Sequence, residues 1–115
     1  VDPASGLALY RALAERGNTD GMVGVGVILL EGIGCDQEEV EIAEGLRMIR
    51  TASKRGSAQG QYELAVLHYM GRYVDEDARA AFRLFELSAN QQHTSALFML
   101  AECLIEGYGC RKDLA

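Results

Sequence analysis

The side chains that could carry chemistry are few, and their spacing decides whether any of them forms a site. Gly24-Val25-Gly26 begins like a dinucleotide-binding turn, in which glycines let the backbone close on a pyrophosphate at the start of a helix. Leu29 stands where the third glycine is needed, no strand pattern precedes the run, and the glycines fall inside an apolar helical segment instead of opening one. A nucleotide role is set aside. His68 and His93 have no cysteine or carboxylate at metal-ligand spacing, and Cys103 with Cys110 supplies too few ligands for zinc. His68 reads better as a packed or half-buried histidine. No nucleophile, base and acid combine into a catalytic set. The acidic groups Glu38-Glu39 and Asp75-Glu76-Asp77 fall at expected helix starts, where carboxylates favour the helix dipole. The expectation is a protein that is not an enzyme, with no cofactor, no metal and no small-molecule substrate.

Composition bounds the class in the same direction. The chain has 115 residues, 49% of them apolar, enough to bury a core without disulfide staples. A net charge of −6 argues against nucleic acid, because phosphate binding needs a basic face that releases counterions. A protein with a basic segment is the better partner. The longest apolar run, from Met22 to Leu30, is far short of the roughly 20 residues that span a bilayer, and no targeting segment can be read at the N-terminus. Cys35, Cys103 and Cys110 are an odd number without a CxxC pair, which suits free thiols in a reducing compartment better than a disulfide framework.

One proline, no tryptophan, and glycines that punctuate periodic apolar segments predict an all-helical protein. Asp2 and Pro3 predict a helix start, with the helix running to about Arg16 and Leu7, Tyr10, Leu13 and Ala14 on one face. A second helix, about Asp20 to Glu31, is apolar nearly all round and must be sandwiched between neighbours. It is capped by Asn18, Thr19 or Asp20. A third runs from about Val40 to Arg55 after an acidic loop, a fourth from Ala58 to Met70, a fifth from about Glu76 to Asn90, and a sixth from Thr94 to Glu106.

These six helices repeat. Gly17 and Gly56 are 39 residues apart and Gly56 and Gln92 are 36 apart, a period of 36 with one insertion of three residues between Gly34 and Glu41. Leu9-Tyr10, Met48-Ile49 and Leu84-Phe85 are equivalent, as are Gly6, Gly45 and Ala81. In the other helix of each unit Gly21, Gly60 and Ala96 coincide, then Gly26, Ala65 and Ala101, then Gly32, Gly71 and Gly107. Small residues recurring where helix axes must approach, at a period of 30 to 45 with two helices, are the signature of a stacked helical-hairpin solenoid. Leucine at Ala65 or Ala101 should then overpack a helix contact. The units are a half unit 1–17, units 18–56 and 57–92, and a half unit 93–115.

The last unit resembles the Sel1-like repeat family, a branch of the tetratricopeptide superfamily: Ala96, Leu100, Ala101, Leu104, Gly107, Gly109, Cys110 and Asp113 occupy its pattern in order, with Ala101, Leu104 and Cys110 in place of the usual glycine, tyrosine and valine. The central unit matches at Leu64, Ala65, Gly71, Val74, Asp77 and Ala81 and departs at Gly60, His68 and Tyr73. The resemblance implies a right-handed α-solenoid of antiparallel helix pairs and a non-catalytic scaffold that holds protein partners in the trough of the superhelix. Because the pattern starts and stops in mid-unit, both ends should expose apolar helix faces that polar caps would otherwise cover, as in part of a longer protein or one covered by partners.

If the trough is built as in such relatives, the first helix of each unit lines it with Val23, Val27 and Leu30; Tyr62, Val66 and Tyr69; and Phe98, Met99, Glu102 and Ile105. One reading is that a partner's extended segment or amphipathic helix lies on this face with Tyr62, Tyr69 and Phe98 as anchors. The other is that these side chains pack on neighbouring helices. A second candidate is the acidic edge of Asp36, Glu38, Glu39 and Glu41 at the insertion, which could dock a basic segment. The leading expectation is an adaptor, and the alternatives are a linker subunit in a large complex or a regulatory module attached to an enzyme.

Overall fold

The computed structural model describes residues 3–32 and 38–113, which form six helices and, among the described residues, no strand. They are α1 (Pro3–Glu15), α2 (Thr19–Glu31), α3 (Glu39–Lys54), α4 (Ala58–Met70), α5 (Ala78–Ala89) and α6 (Thr94–Glu106). Asp2, Gly34, Cys35 and Asp36 lie outside the described residues. The all-α expectation holds, with α4 and α6 at their expected bounds and the others shifted by a residue or two.

Capping explains where the helices start. The first helix of each repeat begins on the same device, 39 and 36 residues apart: Asn18 Oδ1 accepts the Gly21 N–H at 2.9 Å, Ser57 Oγ accepts the Gly60 N–H at 3.0 Å, and His93 Nδ1 accepts the Ala96 N–H at 3.2 Å. Each satisfies a backbone donor that the first turn leaves without an intrahelical partner. Helix α5 starts two residues later than expected because Asp77 is its cap, accepting the Ala80 N–H at 3.0 Å, while Glu76 is taken by the Tyr108 hydroxyl at 2.8 Å.

The turn that ends each second helix needs a left-handed residue. Gly17 (φ 81°) and Gly56 (φ 90°) supply it without strain, but the third such position is Gln92, at φ 66°. A side chain there costs about 1 kcal/mol that glycine does not. Gln92→Gly is therefore expected to raise stability by up to about 0.5 kcal/mol, after the extra unfolded-state freedom of glycine, roughly 0.5–1 kcal/mol, is subtracted. The check is a higher urea midpoint at unchanged m-value.

The chain divides into two compact units, up to Gly60 and from Gln61 onward, with the division inside α4. In the first, α1 and α3 both pack on α2, which buries Gly21, Met22, Val23, Val25, Gly26, Leu29 and Leu30. That explains a helix apolar on every side. The helices meet through glycine: a β-carbon on Gly21 would stand 2.5 Å from the Leu13 Cβ, and one on Gly26 would stand 2.5 Å from Ile49 Cγ1 and 3.0 Å from the Gly45 carbonyl oxygen.

In the second unit, Ala65, Ala81, Phe85 and Cys103 form a fully buried cluster. Tyr62 and Tyr69 flank the Phe85 ring with centroids 5.9 and 6.2 Å away, and α5 packs on α6. The loops after α4 and α6 repeat each other's hydrogen bonds 36 residues apart. The Arg72 N–H donates to the Leu67 carbonyl (3.0 Å) and the Asp77 N–H to His68 (3.2 Å), as Tyr108 does to Cys103 (2.9 Å) and Asp113 to Leu104 (2.8 Å). Tyr73 is left-handed at φ 64°, at the position Gly109 holds at φ 70°. Ala101 departs from expectation: it is exposed, because no helix follows α6 among the described residues to cover it.

Candidate interaction surface

The ten positions expected to line a trough fall into two kinds. On α2, Val23 and Leu30 are buried, and Val27 is half-buried against the Met22, Val23 and Ala52 cluster. On α4, Tyr62, Val66 and Tyr69 pack half-buried against the Phe85 cluster, as does Met99 of α6. Tyr62 also stacks on His93 with ring centroids 4.8 Å apart, and Tyr69 meets Tyr108 edge-on at 4.9 Å. On α6, Glu102 is half-buried, whereas Phe98 is 64% and Ile105 51% exposed. Leu97, beside them and not foreseen, is also exposed.

The repeat register explains the difference. Val23, Tyr62 and Phe98 are one position, and Leu30, Tyr69 and Ile105 another. On α2 and α4 these residues bracket a small one, Gly26 or Ala65, and the next helix lies on top of all three. A β-carbon on Gly45 of α3 would stand 3.0 Å from Leu30 Cγ, and Phe85 of α5 lies among Tyr62, Ala65 and Tyr69. A small residue three after one large residue and four before another is a signal for a helix contact rather than a groove, and it was present in the sequence. On α6 the same trio, Phe98, Ala101 and Ile105, is open.

The acidic edge is less uniform than its sequence. Glu38 and Glu39 are exposed at the start of α3, and Glu38 stands at the cap position without a side-chain cap bond. Glu41 is half-buried, with Oε2 shielded from water and without a hydrogen-bond partner among the described residues. Glu44 pairs with Arg11 at 2.8 Å. That pair lies in a cleft of about 310 Å³ lined also by Glu15, Val25, Arg47 and Met48.

The remaining chemically capable groups have structural work. The His68 ring N–H points to the Asp75 carbonyl at 3.2 Å, and among the described residues no group of three His, Cys, Asp or Glu is placed to hold a metal ion. Cys103 is buried and Cys110 half-buried, both free thiols, with the Cys110 thiol donating to the Cys103 carbonyl at 3.4 Å. Burial, and after it the neighbouring Cys110, push the Cys103 thiol up to about 11, which leaves little thiolate for nucleophilic chemistry near neutral pH. Burial, then the hydrogen bond to Glu76, push Tyr108 up to about 12. No helix of the described residues is long and apolar enough to cross a membrane.

Comparison with known proteins agrees with this geometry. The Sel1 repeat matches three times, at residues 19–57, 58–93 and 94–115. The chain is 30% identical over 104 residues to an F-box protein of Arabidopsis thaliana, which covers 88% of this chain and 29% of that protein. Among solved structures it superposes on a Sel1 repeat protein from Oxalobacter formigenes with a TM-score of 0.81 and 26% identity, over 93% of this chain and 78% of that one. It matches a protective antigen of uropathogenic Escherichia coli displaying an SLR fold equally well, at TM-score 0.81 and 27% identity, over 90% of this chain and 22% of that one. The chain thus spans less than a third of the F-box protein and of the antigen. Repeats of this kind commonly mediate contacts between proteins and are generally non-catalytic. With three matches to its repeat and the same fold as solved members, the chain belongs to the Sel1 repeat family.

Proposed function

We propose that this chain is a non-catalytic protein-interaction module that holds a partner segment on the open face of α6, with Phe98 and Ile105 as anchors. The observation that carries this reading is the exposure of Phe98, Ala101 and Ile105 in a register where the equivalent residues of α2 and α4 lie under another helix. An exposed aromatic beside branched aliphatic side chains buries much apolar area when a partner helix or strand lies on it. Glu38 and Glu39 are a second contact point for a basic stretch of a partner. Tyr62 and Tyr69, half-buried against the Phe85 cluster, act through the fold and not by touch.

The test separates these roles. Phe98→Ala with Ile105→Ala is expected to keep helicity and melting temperature while weakening a captured partner by about 30-fold, the effect of losing a hot spot of ~2 kcal/mol. Tyr62→Ala is expected to lower the melting temperature, because its ring packs on Phe85 and His93. Unchanged capture by the α6 double variant would remove the reading.

A second reading, a linker joining parts of a larger assembly through the first and last helices, is favoured by the open surface of α1. A β-carbon on Gly6 would meet nothing within 4 Å, and Leu9 is exposed. Cross-links confined to α6 support the adaptor; cross-links on both α1 and α6 support the linker.

A further inference from the structure

Two of the three cysteines stand together in the last unit. Cys103 lies in the final turn of α6, buried against Ala65, Ala81 and Phe85, and Cys110 lies in the loop that folds back on that turn. Backbone bonds fasten the loop there: the Tyr108 N–H donates to the Cys103 carbonyl at 2.9 Å, and the Asp113 N–H to the Leu104 carbonyl at 2.8 Å. The Cys110 thiol donates to the same Cys103 carbonyl at 3.4 Å. Its sulfur is therefore held on the residue that carries the other thiol. After burial, it is Cys110 that most raises the Cys103 thiol, to about 11.

The coincidence is particular to this unit. At the two places, seven residues apart, the first unit has Ile28 and Cys35, the second has Leu67 and Val74, and only the last has two cysteines. Cys110 is half-buried, and so is its equivalent Val74, which has α5 after it. The partial exposure of Cys110 thus belongs to the loop itself, whether or not a helix follows.

We propose that Cys110 and Cys103 are a site of reversible oxidation, closing to a disulfide on reaction with a small-molecule disulfide of the glutathione class. In the first step the Cys110 thiolate attacks one sulfur of the reagent, forming a mixed disulfide and expelling one small thiolate. In the second the Cys103 thiolate attacks the Cys110 sulfur, forming the protein disulfide and expelling the other. Two protein thiols give up two protons and two electrons, and the reagent takes them up as two thiols. Burial sets the order, because Cys110 is half-buried whereas Cys103 is 1% exposed. The second step is intramolecular, so the small thiolate fraction of Cys103 is offset by proximity and by the greater nucleophilicity of a thiolate of high pKa. Phe98 and Ile105 take no part, and the site stands or falls separately from the α6 contact face.

A Cys35→Ser chain keeps this pair alone. After native incubation with oxidised glutathione and an acid quench, its intact mass is expected to show the loss of two hydrogens and no bound glutathione, and peptide mapping to place the link between residues 103 and 110. Dithiothreitol is expected to restore the starting mass. In the same background Cys103→Ala, folded by circular dichroism, is expected to stop with one glutathione on Cys110, and Cys110→Ala to leave Cys103 unmodified. Conversion of the mixed disulfide is expected to quicken about tenfold per pH unit between about pH 7 and 9, as the Cys103 thiolate fraction rises toward its pKa of about 11. A mixed disulfide on Cys110 that persists in the Cys35→Ser chain, a link between two chains, or a link that forms only in urea would each overturn the proposal. So would a second step indifferent to pH. These readouts use the native pair and decide the matter even where Cys103→Ala fails to fold.

Discussion

Phe85→Ala is expected to cost about 3–5 kcal/mol, the range for deleting a buried aromatic ring and leaving a cavity. Phe85 is fully buried at the centre of the second unit, against Ala65, Ala81 and Cys103, with two tyrosine rings at its edges. Small residues surround it on both neighbouring helices, so little can collapse into the space. Against a whole-domain stability of about 5–15 kcal/mol this is a large fraction, and a melting temperature lower by 10 °C or more is expected, roughly 3–5 °C per kcal/mol at this size. The control is the same chemical change at the surface. Phe98 is 64% exposed, so Phe98→Ala is expected to stay within about 0.5 kcal/mol of the unmodified chain. Paired thermal melts by circular dichroism check both, and equal losses would mean that the two phenylalanines do not have the burial that distinguishes core from candidate contact.

That contrast shows what the sequence could and could not convey. Helix number, the sandwiched place of α2 and the close approach at Gly21, Gly26 and Gly45 were legible, because apolar periodicity and small residues report directly on packing. The departures at Tyr73 and Gln92 were legible as breaks in the pattern, and both prove to be left-handed residues where the neighbouring units use glycine. The starts of α3 and α5 were less so, since a run of acids offers several cap residues of equal merit. Which one wins depends on a distant partner: at α5 the Tyr108 hydroxyl occupies Glu76 and leaves Asp77 to cap.

The candidate surface was legible only in part. A large apolar residue facing the next helix and one facing a partner have the same spacing, so Tyr62 and Phe98 look alike in the sequence. What separates them is whether a helix lies above, which is a property of the stack and not of the residue. The charged edge has the same ambiguity. Glu44, one turn on from Glu41, would extend the acidic edge, but Arg11, 33 positions away, lies 2.8 Å from it, and an exposed pair of this kind contributes little to stability.

The pair Ala65→Leu and Ala101→Leu puts the same question to one position of the repeat. Register alone makes these alanines equivalent and predicts overpacking at both. The structure buries Ala65 completely among Ala81, Phe85 and Cys103, and three extra heavy atoms there must displace a ring or move a helix, at an expected cost of about 1–3 kcal/mol. Ala101 is exposed, so its leucine variant is expected to melt within about 0.5 kcal/mol of the unmodified chain in dilute solution. A destabilised Ala101→Leu monomer would show that α6 is covered in solution even in the dilute chain. A neutral Ala65→Leu would show that α4 and α5 are further apart than Phe85 requires. Denaturant midpoints measure both variants, so the cost of filling a core position and the tolerance of an exposed one are read separately from residues 36 positions apart.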